Sequence, residues 1–176
     1  MNEIFGSIGW TIIGIKIVAL IALLFFSKRS FKEMLKEQPA KVIRDQVEYS
    51  LLIVTLLSTN FHIFGSYMAD VIIDAQINRD LKIQIYYLFL CVLEMLYVLA
   101  ILHLHKITDC QVSKICRFIL YFSVLTALCQ LARFTDRVMF ETDVLRGYYS
   151  VTITTRNCCV LALIAVYPTL RALTYL

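Results

Sequence analysis

The stretch Ile83–Leu104, IQIYYLFLCVLEMLYVLAILHL, decides the fold. It is a near-continuous apolar run, long enough to cross a ~30 Å hydrocarbon core at ~1.5 Å per residue. It lacks the alternating pattern of an outer-membrane strand. It therefore reads as a transmembrane helix, and its one carboxylate, Glu94, sits near its middle.

Four other stretches read the same way. They run from about Ile4 to Phe26, Val47 to Ile73, Ile115 to Ala132 and Tyr149 to Leu170. The last is interrupted by Arg156, Asn157 and Pro168, so it is either a fifth span or a re-entrant segment. Composition agrees: the chain is 60% hydrophobic and 17% charged with mean hydropathy +0.74, against ~45–50% apolar residues in an ordinary soluble domain. The expected fold is all-α, a polytopic transmembrane bundle of about five spans (four if the last is re-entrant). A single transmembrane domain fills residues 1–176, and the first segment reads as a retained span rather than a signal peptide.

Charge sets the expected orientation. Lys28, Arg29, Lys32, Lys36, Lys41, Arg44, Lys106, Lys114, Arg117 and Arg171 fall on one side, and fewer basic residues on the other, so the N-terminus is expected outside and the C-terminus inside. Residues 28–46 form a basic cytoplasmic linker. Ser30 with Glu33 fits a capping box and Pro39 a helix start, which together predict an interfacial helix whose Lys28, Arg29, Lys32 and Lys36 reach lipid phosphates or a partner. On the outer side Asp70 and Asp74, one turn apart, make an acidic mouth.

Depth arithmetic singles out a group of polar residues. Lys16, Asn60, His62 and Glu94 lie near the midpoints of three spans, within about one helical turn of a common depth. Ionisable groups there are costly and take partners or line a wet path. A Lys16–Glu94 ion pair with His62 and Asn60 alongside is the expected arrangement. A second polar layer is expected from Gln130, Arg133, Arg156 and Asn157, with Asp70 as partner to Arg133 or Arg156.

Enzyme chemistry finds little footing. The six cysteines include no C-x-x-C. There is no H-E-x-x-H, and His103 and His105 point to different faces of one helix. His62 lies roughly 15 Å in helical rise from them, so paired haem ligation is not expected. No G-x-S-x-G, P-loop or dinucleotide fingerprint occurs, and Gly65-Ser66 reads as a close helix contact or a flexible point. No enzymatic activity, metal, cofactor or nucleic-acid partner is expected.

The expected function is a homo-oligomeric membrane channel or pore conducting ions, cations favoured, gated by a ligand, lipid or partner. One version is a bacterial membrane-depolarising effector in the inner (plasma) membrane. Lys16, His62 and Glu94 would line its path. The alternative is a non-conducting membrane adaptor or accessory subunit of a larger complex. The expected partners are the bilayer, further copies of the chain, and a cytosolic activator or membrane partner.

Overall fold

A computed structural model describes residues 2–26 and 43–175; side chains are described for 9–25, 46–166, Pro168 and Thr169. The described residues are helical apart from short connections. They form α1 (Asn2–Phe26), α2 (Ile43–Asp74), α3 (Arg79–Ile107), α4 (Lys114–Phe134) and α5 (Arg146–Tyr175), with one π-helical turn at Thr135–Met139. Four helices are long and apolar enough to cross a membrane: Gln46–Asp74, Arg79–Ile107, Lys114–Met139 and Arg146–Val166. The segment interrupted by Arg156 and Asn157 is thus one unbroken helix, and α1 adds a shorter described apolar stretch, Gly9–Phe25. The capping box at Ser30 and Glu33, Pro39, and the basic side chains Lys28, Arg29, Lys32 and Lys36 lie outside the described residues.

The helix ends follow from local chemistry. Asn78 starts α3 by accepting the Asp80 amide at 2.9 Å, and Lys82 reaches back to donate to the Ile73 carbonyl at 2.6 Å, closing the last turn of α2. After α3, Asp109 takes a left-handed backbone (φ 47°) and the Cys110 amide bonds the His105 carbonyl at 3.0 Å. Ser113 then caps α4 through the Cys116 amide at 3.2 Å.

The turn between α4 and α5 is tied by one carboxylate. Asp136, in the π-helical turn, accepts from Arg133, from the Thr142 hydroxyl and from the Leu145 amide. Arg133 also pairs with Asp143 and lies 6.0 Å from the centre of the Tyr87 ring. This knot fixes where α5 begins and therefore which of its side chains face inward.

The helices close a ring. α1 packs against α2 and α5, α2 against α3, α3 against α4, and α4 against α5. The two halves of this ring differ. Toward the α3–α4 connection it is filled by a dry cluster that includes Ala19, Val54, Ile101, Ile119, Val160 and Ile164, and an adjoining one around Leu23, Leu51 and Leu52. Toward the α2–α3 and α4–α5 connections it opens into a chamber.

Candidate functional site

The chamber has a volume of about 380 Å³ and takes its wall from all five described helices. Each helix contributes a stripe at helical spacing. Gly9, Ile12 and Lys16 come from α1, Ser58, His62 and Ala69 from α2, and Glu94 and Tyr97 from α3. Thr126 and Gln130 come from α4, and Ser150, Thr154 and Asn157 from α5. Side chains three and four residues apart share a helix face, so these Ser, Thr, Gln and charged residues form polar stripes in a wall that is otherwise largely apolar, with Ile12, Phe61, Leu90, Leu93 and Ile153 between them.

The structure brings Lys16, His62 and Glu94 onto this one wall, but with partners other than those the sequence suggested. Lys16 is only 1% exposed. Its Nζ donates to Ser58 Oγ at 2.9 Å and lies 3.2 Å from His62 Nδ1. With Lys16 as an ammonium, which can only donate, Nδ1 is the acceptor, and a neutral His62 ring then carries its proton on Nε2. Glu94 pairs instead with Arg156: Nη2 donates to Oε2 at 2.8 Å and to Ser123 Oγ at 3.1 Å, while Nη1 donates to Asn157 Oδ1 at 3.0 Å. The expected Lys16–Glu94 pair is therefore replaced by two separate clusters on one chamber. Neither α1 nor α5 neighbours α3 in the ring: Lys16 is engaged by Ser58 and His62 of adjacent α2, while the long Arg156 side chain reaches past Ser123 of α4 to Glu94.

Three further expectations are corrected. Asn60 is exposed and returns its Nδ2 to the Leu56 carbonyl at 2.8 Å; two residues from both Ser58 and His62, it points about 200° away from them on the helix. Asp70 partners neither Arg133, which binds Asp136 and Asp143, nor Arg156, which binds Glu94. Asp70 and Asp74 are exposed beside the chamber end of α2 and do not line it. The second polar layer also divides. Gln130, Arg156 and Asn157 belong to the chamber, whereas Arg133 belongs to the α4–α5 knot.

Gly65 proves to be a close helix contact. A Cβ there would meet Leu93 Cδ2 at 2.8 Å, so the glycine lets α2 and α3 approach beside the chamber.

A second polar cluster, unanticipated from sequence, lies at the opposite end. His105 Nδ1 is 2.8 Å from the Ile101 carbonyl, which can only accept, so Nδ1 carries the ring proton and Nε2, 2.9 Å from Ser50 Oγ, is the acceptor. Ser50 Oγ lies 3.0 Å from Ser113 Oγ and accepts the Ser113 amide at 3.1 Å. The pairing resembles a nucleophile and its base, but Ser50 is wholly buried and is not on the chamber wall. The cluster ties α2 to α3 and to the start of α4. Nearby, burial pushes the Cys110 thiol up to about 11, which keeps it protonated and inert near neutrality.

These features define an all-helical chain with membrane-length apolar helices and a one-sided chamber. No family model, curated protein or solved structure matches it.

Proposed function

We propose that the chain is a five-span membrane protein, N-terminus out and C-terminus in, whose chamber is the outer vestibule of a gated ion pathway. The observation that carries this reading is the roughly 380 Å³ chamber that holds Lys16, His62, Glu94 and Arg156 in a largely apolar wall, above an apolar plug. Buried charges that only glue helices together need close contact and no chamber. A charged vestibule facing an apolar constriction is the layout of a pathway gated by dewetting. The plug around Val54, Ile101, Ile119 and Val160 is then the gate, and the structure corresponds to its closed state. Opening is assigned to a ligand, lipid or partner acting on the basic segment 28–46, in a homo-oligomer of a bacterial inner membrane.

The charge on the wall favours anions over the cations expected from sequence. Two cations, Lys16 and Arg156, face one carboxylate, Glu94, which is already engaged by Arg156. A net positive wall in a low-dielectric chamber concentrates anions.

The adaptor reading keeps one specific support, the close apolar packing of the plug among the described residues. Reversal potentials in a planar bilayer under a KCl gradient separate the two. Anion-selective current that becomes more selective in Glu94→Gln is expected. Folded protein that stays silent, even with the gate loosened by Ile119→Ala, would favour the adaptor.

A further inference from the structure

We propose that the chamber binds a small organic anion, one carboxylate on an apolar or aromatic body, with its charge held toward Lys16 and Arg156. The assignment names the ligand class for the vestibule described above and rests on that reading.

Charge is the first argument. Lys16 is almost fully buried, and the two side chains it touches, Ser58 and His62, are neutral in this arrangement. The wall's one carboxylate is committed to Arg156 at 2.8 Å. An excess cation held away from water is costly; the cost is relieved either by loss of the lysine proton or by an anion that joins it, and an anion in the chamber favours the charged form. Unused hydrogen-bonding capacity is the second, independent argument. Gln130 is 4% exposed, and its Oε1 has no hydrogen-bond partner among the described residues; neither has the buried Arg156 Nε. Both residues line the chamber. Both atoms are closed off from the chamber space as the side chains stand, so a turn of the Arg156 and Gln130 side chains accompanies binding: Nε then donates to a carboxylate oxygen, and Oε1 accepts from a hydroxyl or amide on the ligand.

The rest of the wall sets the body of the ligand. Phe61 and Tyr97 pack with ring centroids 5.4 Å apart, and Ile12, Leu93 and Ile153 add apolar surface. A chamber of about 380 Å³ falls within the ~300–1,000 Å³ range of small-molecule sites and far exceeds the size of a halide. A bare inorganic anion would answer the charge and leave the apolar wall unused.

Sodium benzoate is the direct probe. The midpoint of thermal unfolding of the purified full-length protein in detergent should rise saturably with benzoate. It should not rise with benzyl alcohol, the neutral counterpart, or with sodium chloride at equal ionic strength. Lys16→Met should weaken benzoate binding about tenfold or more, as loss of a charge-assisted contact does. Glu94→Gln removes the competing carboxylate and should tighten binding severalfold, an effect that a purely structural carboxylate would not produce. If Lys16→Met does not fold, Glu94→Gln carries the test. Equal responses to benzoate and benzyl alcohol, equal responses to benzoate and chloride, or weaker benzoate binding by Glu94→Gln would each overturn the proposal. Benzoate binding by a protein that never conducts would sink the vestibule reading and leave the site standing. Current that benzoate does not affect, with no shift in unfolding, would do the reverse.

Discussion

Glu94 and Arg156 retain 16% and 15% side-chain exposure and sit 62 residues apart, so their contact is a tertiary choice that helix packing makes. A double-mutant cycle of Glu94→Gln and Arg156→Gln, read by unfolding in detergent, should give a coupling of about 0.6–1.7 kcal/mol, from the average to the upper end of such cycles for interhelical polar contacts. The same cycle between Glu94→Gln and Lys16→Met should give much less, because those two side chains belong to different clusters. The convergence of Lys16, His62 and Glu94 on one level was legible in the sequence, because depth follows from residue count. Their pairing was not, because depth does not say which helix faces which. The outward placement of Asn60 was legible in principle: its two-residue offset from His62 puts it on the far side of α2. The Ser58, Ser123 and Gln130 contributions had a weaker signal, small polar residues recurring at three- and four-residue spacing in otherwise apolar helices.

At the scale of elements, two junctions shape the chamber. Gly65 lies where α2 meets α3, and its Cβ in Gly65→Ala would meet Leu93 Cδ2 at 2.8 Å; that atom is the end of a flexible side chain that can give way, and alanine gains ~0.5–1 kcal/mol of helix propensity, so the net change should stay within about 1 kcal/mol of zero. Leu93→Ala removes the atom met, so Gly65→Ala should be more favourable in that background than alone, which unfolding midpoints of the single and double variants would show. The second junction is the α4–α5 knot. The hydrogen bond from Arg133, helped by the neighbouring arginines, holds the Asp143 carboxyl below the usual carboxylate range against the opposing effect of desolvation. A depressed folded-state pKa means that the contribution is fully present above the unfolded value near ~4 and is lost as pH falls through the folded value. Wild-type stability should therefore drop as pH falls below about 4, and Asp143→Asn should show a flatter profile over that window. Helix existence was readable from apolar length alone. The knot was not, because its register depends on a π-helical turn and on the left-handed backbone of Glu141 (φ 53°), neither of which has a glycine or proline to announce it.

At the scale of the whole molecule, the division into an open chamber and an apolar plug carries the functional account. Both halves are apolar in sequence. They differ in packing: one half leaves open space lined in part by Ser58, Thr126, Gln130 and Thr154, whereas Val54, Ile101, Ile119 and Ile164 fill the other, with the buried Ser50–His105–Ser113 cluster at its end. Sequence reading supplied an all-helical chain with membrane-length segments, but the ring order that turns them into a one-sided chamber is a property of packing. The measurement that tests this division most directly is the reaction of single cysteines with a charged, membrane-impermeant thiol reagent, in a background stripped of native cysteines. Ser66→Cys on the chamber wall should be modified readily, and faster by an anionic than by a cationic reagent of the same size; Ile101→Cys in the plug should stay unmodified. Equal inertness at both positions would contradict the account, because the chamber would then be closed to water and its charges would serve packing alone.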